Sequence, residues 1–242
     1  MYQIDIFSVK VVIFDLDGTI AYTLPDLRTA INETLRSFGL PERSLSEVLS
    51  AINFGGRRFV ESCLPADMRD AEFVDRAYRH YLGVYARCHN DQTSAYNGIP
   101  ELCRGLNAKG YKLAVFTNKE NSFANNIINK LIPDTFDIVL GYNVKNKSGI
   151  IIPHKPEPEG AVYICHRLGA TPDSAVFIGD SAVDMNTAVN AGMHKIWVSW
   201  GYALRNAFPD IVPDFIADKP AEIAELFGIG NNAPKNNRKE AI

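Results

Sequence analysis

Hydrophobic residues along the chain form short runs, which are separated by turn residues and by segments of helix length. These runs are rich in β-branched residues and do not alternate with polar ones, which is typical of strands buried on both faces of a parallel sheet. Five runs predict strands, at residues 11–14, 113–116, 138–140, 175–178 and 196–198. Predicted helices lie between most of them, at residues 99–109, 122–131, 159–168 and 185–191. This alternation predicts an α/β fold whose core is a Rossmann-like doubly wound parallel sheet.

One interval interrupts the alternation, because residues 21–95 show a helical pattern and no convincing strand. Apolar residues recur there at helical spacing in two stretches, marked by Leu27, Ile31, Leu35 and Phe38, and by Phe73, Ala77, Tyr81 and Tyr85. Such an interval is too long for a loop within a compact sheet. We therefore predict an inserted all-α domain at residues 21–95, a core domain at residues 1–20 and 96–229, and a disordered polar tail at residues 230–242.

The composition of the chain argues against several classes of protein. The chain has 242 residues, of which 46% are hydrophobic, enough for a substantial core, and its net charge of −3 gives no basic field for nucleic acid. It contains no apolar stretch of the roughly 20 residues that a membrane span requires, and its start does not resemble a signal peptide. The four cysteines show no CxxC spacing, so we expect reduced thiols in a cytoplasmic protein.

Polar and charged residues follow several of the predicted strands, at the point where each strand ends. In an open parallel sheet, ligands bind beyond the carboxyl ends of the strands, so residues that follow different strands can share one site. The candidates are Asp15 and Asp17 after the first strand, Thr117 and Asn118 after the second, Asp180 and Asp184 after the fourth, and Lys155 upstream of it.

These residue types together are suited to phosphoryl transfer. Asp15 and Asp17 are two residues apart on an extended segment, so both side chains can face one pocket, where Asp180 would add a third carboxylate. Three carboxylates cannot all stay ionised in a dry pocket without a cation, and oxygen ligands of this kind suit Mg²⁺. Lys155 would add a positive charge, while the Thr117 hydroxyl and nearby backbone N–H groups could bind phosphate oxygens.

Four short motifs give the sequence its resemblance to a known family. They are FDLDGT at residues 14–19, VFTN at 115–118, KPEP at 155–158 and GDSAVDM at 179–185, and they occur in this order across nearly the whole folded chain. The sequence resembles the haloacid dehalogenase (HAD) superfamily, whose members carry four such motifs in this order. The resemblance implies a Mg²⁺-dependent phosphatase with a helical cap of the C1 type, inserted between the first two motifs.

The resemblance also implies a role for each matching residue. Asp15 resembles the nucleophile that forms an aspartyl-phosphate, and Asp17 resembles the general acid and base. The Mg²⁺ ion would be held by Asp15, by the main-chain carbonyl of Asp17 and by Asp180.

Further residues are implied as contacts of the phosphoryl group or as supports. Three would bind the phosphoryl group or neutralise its charge: Thr117, Asn118 through its amide, and Lys155. Three others would support them: Thr19 by a hydrogen bond to Asp17, Asp184 by orienting Lys155 or the metal's waters, and Gly179 as part of the fourth motif.

The inserted region carries a second candidate for substrate binding. Gly55 and Gly56 break its helical pattern and could present Arg57 or Arg58 to a second anionic group of the substrate. Solvated arginines at a helix–helix turn are the alternative. Residues 21–108 contain no lysine, which argues against the Schiff base of phosphonoacetaldehyde hydrolases and weakens a β-phosphoglucomutase assignment. Dehalogenases of the superfamily lack an aspartate at the position of Asp17, so the presence of Asp17 argues against that activity.

The branch that the sequence resembles most is that of the phosphoglycolate phosphatases, which act on a small phosphorylated metabolite. The chain departs from the common DGTLVDS of that branch, because it has Tyr22 and Thr23 in DGTIAYT. The open alternatives are a sugar phosphomutase, a pyrophosphatase or nucleotidase of the same superfamily, and a non-catalytic binding module. The sequence does not indicate an oligomeric state.

Overall fold

A computed structural model describes residues 4–52, 55–146, 148–203 and 211–230. The predicted disordered tail lies, apart from residue 230, outside the described residues. The strands are β1 (Val11–Phe14), β2 (Ala21–Tyr22), β3 (Ser94–Ala95), β4 (Lys112–Glu120), β5 (Ile138–Tyr142), β6 (Ala175–Gly179), β7 (His194–Val198) and β8 (Phe215–Ala217). The helices are α1 (Leu24–Ser37), α2 (Leu45–Ala51), α3 (Gly56–Cys63), α4 (Ala71–Cys88), α5 (Ile99–Ala108), α6 (Asn121–Leu131), α7 (Glu159–Arg167), α8 (Ala182–Ala191) and α9 (Pro220–Leu226).

Six strands form one parallel sheet in the order β5-β4-β1-β6-β7-β8, which confirms the predicted fold class. The central strand β1 is fully buried, and its side chains point alternately to the two faces of the sheet. Val12 and Phe14 join a core with residues of α5, α6 and α9, whereas Val11 and Ile13 join a second core with residues of α7. Helices on both faces explain why the strands are apolar without alternation.

Helices α1 to α4 surround a separate hydrophobic core that includes Leu35, Val60, Ala77 and Tyr85. They lie between β1 and α5, where the sequence predicts the inserted domain; its exact boundaries stay a prediction. α3 begins at Gly56, directly after Gly55, whose φ of +83° breaks the helical pattern as expected. Of the helices in the described ranges, none is both long and apolar enough to cross a membrane.

A two-stranded antiparallel ribbon, β2 with β3, connects the inserted helices to the sheet. Asp26 in the first turn of α1 is fully buried and reinforces this connection. Its carboxylate accepts hydrogen bonds from the backbone N–H of Gln92 at 3.0 Å and from the backbone and hydroxyl of Thr93 at 2.8 and 2.7 Å. Both ends of the insert are thus fixed by one buried carboxylate.

Tyr22, one of the residues that depart from the common DGTLVDS, lies in this ribbon. Its ring packs edge-on against Tyr96 from the other connecting segment and against Tyr202, at centroid distances of 6.2 and 6.3 Å. The Tyr202 hydroxyl in turn accepts a hydrogen bond from the backbone N–H of Thr23 at 2.8 Å. Tyr22 therefore belongs to an aromatic cluster that packs both connecting segments against the core.

Candidate active site

The strand order explains how distant motifs meet. β1 lies between β4 and β6, so Asp15 after β1, Thr117 within β4 and Asp180 after β6 come from neighbouring strands. Asp15, Thr117 and Asp180 are 5%, 2% and 0% exposed. The structure therefore brings these predicted site residues to one edge of the sheet.

Lys155 connects two of the carboxylates. Its ammonium Nζ lies 2.7 Å from Asp15 Oδ1 and 2.6 Å from Asp184 Oδ1, and its side chain is 3% exposed. The side chain of Asn118 holds the backbone of Lys155, accepting from its N–H at 2.8 Å and donating to its carbonyl at 3.1 Å. Asn118 does not cap the next helix, since α6 begins only at Asn121.

The carboxylate cluster has more negative than positive charge. Burial, together with repulsion from Asp184 and Asp180, raises the pKa of Asp15 well above its usual value, although Lys155 opposes the shift. Burial and Asp184 likewise raise the pKa of Asp180 to about 7. Burial would lower the pKa of Lys155, but attraction to Asp15 and Asp184 outweighs this effect and raises it. The excess negative charge of this cluster destabilises the folded protein unless a further cation binds to it.

The geometry fits a metal ion at this position. Carboxylate oxygens of Asp15, Asp180 and Asp184 all lie within 4.8 Å of one another. The three carboxylates face one ammonium, that of Lys155, and buried carboxylate oxygens with such an excess of negative charge are the ligands that a hard divalent cation prefers. Asp17, which the resemblance makes a ligand through its main-chain carbonyl, directs its side chain to other partners.

Several contacts fix Asp180 and Asp184. Asp180 Oδ2 accepts from the backbone N–H of Tyr202 at 2.6 Å. Asp184 Oδ2 accepts from the backbone N–H and the hydroxyl of Ser181 at 3.0 and 2.6 Å, which caps α8. A Cβ at Gly179 would lie 2.4 Å from Asp184, so only glycine allows this close approach.

The expected hydrogen bond from Thr19 to Asp17 is wrong in this structure. The Thr19 hydroxyl instead donates to Asp180 Oδ1 at 3.3 Å, and the hydroxyl of Thr23 donates to Asp17. The chain turns at Gly18, whose φ is +85°, and this turn separates Thr19 from the carboxylate of Asp17. Thr23 lies at the start of α1, from which it reaches back to Asp17.

Lys119 is a site residue that the sequence reasoning missed. Its ammonium lies 2.9 Å from Asp17 Oδ1, and its side chain is 6% exposed. β4 continues to Glu120, beyond the predicted end at Phe116, so Lys119 is two positions after Thr117 on the same strand. The register of β4 against β5 shifts between Phe116 and Glu120, and Lys119 lines the cleft together with Thr117 and Asn118. Its position directly after the VFTN motif is the signal that could have found it.

Arg57 and Arg58 are not brought to the site. Arg57 pairs with Asp75 at 2.7 Å and with Glu61 at 3.7 Å on the surface of the insert, and 43% of its side chain is exposed. Arg58 is also exposed, and neither arginine lines the cleft above Asp15. Phe59 and Val60 of α3 are buried. Arg57 and Arg58, which precede them on the same helix, face solvent. The alternative of solvated arginines is the one that the geometry favours.

Similarity to known proteins agrees with this geometry. Residues 12–198 match the haloacid dehalogenase-like hydrolase family. A phosphoglycolate phosphatase of Aquifex aeolicus is 30% identical over 90% of this chain and 96% of its own. An N-acetylmuramic acid 6-phosphate phosphatase of Pseudomonas aeruginosa is 31% identical over 90% of this chain and 94% of its own.

Solved structures show the same fold. The crystal structure of a predicted phosphoglycolate phosphatase from Haemophilus somnus superposes with a TM-score of 0.79 and 29% identity, covering 90% of this chain and 98% of that one. The match extends over the inserted helices as well as the sheet, given this coverage. The chain therefore belongs to the haloacid dehalogenase-like hydrolases, and it is an enzyme of the phosphatase class.

Proposed function

We propose that the protein is a Mg²⁺-dependent hydrolase of small phosphomonoesters that acts through an aspartyl-phosphate on Asp15. The observation that carries this proposal is the cluster of Asp15, Asp180 and Asp184, whose carboxylate oxygens lie within 4.8 Å of one another, with Lys155 in contact with Asp15 and Asp184. The Thr117 hydroxyl lines the same cleft as Asp15 and Lys155. A nucleophile, a cation site and donors for phosphate oxygens are thereby combined in one place.

Asp15 is the proposed nucleophile. One of its carboxylate oxygens forms a bond to phosphorus while the bond from phosphorus to the leaving oxygen breaks, and Asp17 donates a proton to that oxygen. In the second step Asp17 takes a proton from water, whose oxygen attacks phosphorus and releases Asp15 and inorganic phosphate. Lys155 holds Asp15 in place for both steps through its 2.7 Å contact.

Asp17 is the proposed proton carrier, and its position is fixed by two neighbours. Thr23 donates a hydrogen bond to it, and Lys119 lies 2.9 Å from its Oδ1. Thr117 and the Asn118 amide are proposed to bind the phosphoryl oxygens, while Lys155 offsets their charge.

Asp15, Asp180 and the main-chain carbonyl of Asp17 are the proposed ligands of Mg²⁺. When bound, the ion would neutralise the carboxylates and the phosphoryl oxygens, so that an anionic nucleophile can approach an anionic ester. Asp184 would remain with Lys155 and Ser181, the partners that it has in the structure. The names of the relatives make phosphoglycolate and a phosphorylated sugar acid the first esters to test.

Metal removal provides the test. We expect the chelator-treated enzyme to lose phosphate release from an ester by about 10³-fold or more, because the cluster then lacks its cation, and Mg²⁺ to restore it. Asp180→Asn should reproduce the loss in the presence of Mg²⁺. Asp173→Asn, which changes an exposed aspartate just before β6, is the matched control and should keep full activity. Undiminished turnover without divalent metal would contradict the proposal.

A further inference from the structure

Aromatic side chains form part of the wall of the cleft above Asp15 and Asp17. Its aromatic lining comes from both the inserted helices and the core, through Phe59, Tyr78, Tyr81, Tyr85 and Phe123. A wall of this kind binds a leaving group that has apolar surface of its own.

Helix α4 supplies three of these rings, which stack along one face of the helix. Tyr81 lies nearly parallel to Tyr85, with centroids 5.5 Å apart and an angle of 10° between the ring planes. Tyr78 continues the stack at 6.5 Å from Tyr81, and Phe123 closes it edge-on at 5.0 Å from Tyr85. The spacing of three and four residues places the tyrosines on one face of the helix.

The hydroxyl of Tyr85 has no hydrogen-bond partner among the described residues, although the side chain is 1% exposed. A buried hydroxyl is normally satisfied, so an unpaired one in the wall of a binding cleft indicates a contact that a ligand completes. Burial, followed by the nearby charge of Asp17, raises the pKa of Tyr85 well above its usual value. The phenol therefore stays protonated and is available as a donor.

The charged groups Asp17, Lys119 and Glu120 of the cleft wall already have partners within the protein. Lys119 lies 2.9 Å from Asp17, and Glu120 accepts a hydrogen bond from the Tyr78 hydroxyl at 2.9 Å. An acidic leaving group would have to compete with Asp17 for Lys119, and it would face Glu120 as well. Within the described part of the wall, the polarity suits a neutral leaving group with hydroxyls.

We infer that the enzyme prefers neutral cyclic sugar phosphates, whose ring lies against Tyr81 and Phe59 and accepts a hydrogen bond from the Tyr85 hydroxyl. This inference rests on the proposed phosphatase function and narrows its substrate. The leaving group of phosphoglycolate has two carbons and a negative charge, so it cannot cover the aromatic wall and does not match its polarity.

The test compares a panel of neutral hexose 1- and 6-phosphates with glycerol 3-phosphate and phosphoglycolate. The leaving group of glycerol 3-phosphate is neutral but acyclic, and the leaving group of phosphoglycolate is both acyclic and acidic. The best hexose phosphate should exceed both acyclic esters in kcat/KM by about tenfold or more, given the apolar surface that a ring buries. If either acyclic ester matches or exceeds every hexose phosphate, the inference is wrong.

Tyr85→Phe tests the hydroxyl while keeping the ring. We expect kcat/KM for the best hexose phosphate to fall about tenfold, the effect of one lost hydrogen bond, and the values for both acyclic esters to change less than about twofold. The thermal unfolding midpoint should not fall, because the hydroxyl has no partner in the free enzyme. Equal losses on all three esters, or a lowered midpoint, would indicate a structural role instead.

Tyr163→Phe is the matched control for this variant. Its hydroxyl accepts a hydrogen bond from Arg167 at 2.7 Å on the outer surface of α7, and it should leave every kcat/KM unchanged. The outcomes separate the two claims. If neither the esters of the panel nor the phosphorylated sugar acid releases phosphate in Mg²⁺, the proposed function fails. If phosphate is released without preference for the ring, the substrate inference alone fails.

Discussion

Asp15→Asn should abolish phosphate release, by about 10⁴-fold or more, because the amide cannot attack phosphorus. The substitution should not lower the stability of the fold. The pKa of Asp15 is raised mainly by burial, so the ionised carboxylate is costly to the folded protein. Steady-state turnover and thermal unfolding, both measured with the purified variant, check these expectations.

The outcome is interpretable because the substitution is isosteric. A variant that unfolds would lose its thermal transition as well as its activity, and a folded variant that lacks a nucleophile would lose activity alone. Asp173→Asn serves as the matched control for removing one carboxylate near the same sheet. If folded Asp15→Asn protein keeps turnover within tenfold of the parent, Asp15 is not the nucleophile.

Lys155→Met should reduce both activity and stability. The buried carboxylates of Asp15 and Asp184 lose the ammonium that contacts them at 2.7 and 2.6 Å. In metal-free buffer at neutral pH, the free energy of unfolding should fall by about 3–5 kcal/mol, the usual cost of an unpaired buried charge. In Mg²⁺, kcat/KM should fall about 10³-fold, because the phosphoryl group loses a fixed positive charge. Denaturant titration and steady-state kinetics measure the two effects.

A second lysine–aspartate pair supplies the control. Lys112 lies 2.9 Å from Asp137, slightly farther than Lys155 lies from its partners, and 54% of its side chain is exposed. Lys112→Met should therefore change the free energy of unfolding by less than about 1 kcal/mol, as is usual for surface pairs. If both substitutions destabilise equally, burial is not what makes the Lys155 contacts strong.

The sheet and the meeting of the motifs could be predicted from the sequence because they depend on simple physical rules. Strands buried on both faces must be apolar throughout, and the ends of neighbouring parallel strands share an edge. Hence the sequence predicts that Asp15, Lys155, Asp180 and Asp184 share one site. Strand β8 at the edge of the sheet, Phe215–Ala217, is not among the predicted strands.

The observed start of α8 also differs from the predicted one. The predicted helix begins at Met185, but the observed one begins at Ala182. Ser181 and Asp184 form a reciprocal capping box there, and a serine followed three residues later by an acidic residue is a helix-start signal in the sequence. The same residue serves both purposes, through different oxygen atoms.

Side-chain partners were predicted less well than positions. Thr19 contacts Asp180 instead of Asp17, because the turn at Gly18 redirects the chain. Arg57 finds carboxylates on its own and a neighbouring helix, an outcome that depends on how α3 and α4 pack. Such contacts depend on tertiary packing, which residue spacing alone does not determine.

A phosphoryl group on Asp15 is the central claim, and rapid quenching of the enzyme during turnover tests it most directly. With a phosphate-labelled ester and Mg²⁺, we expect a transient covalent label that hydroxylamine releases, that maps to the peptide containing Asp15 and that is absent from Asp15→Asn. Continued phosphate release with no covalent label on the millisecond timescale, or a label on another residue, would contradict the mechanism.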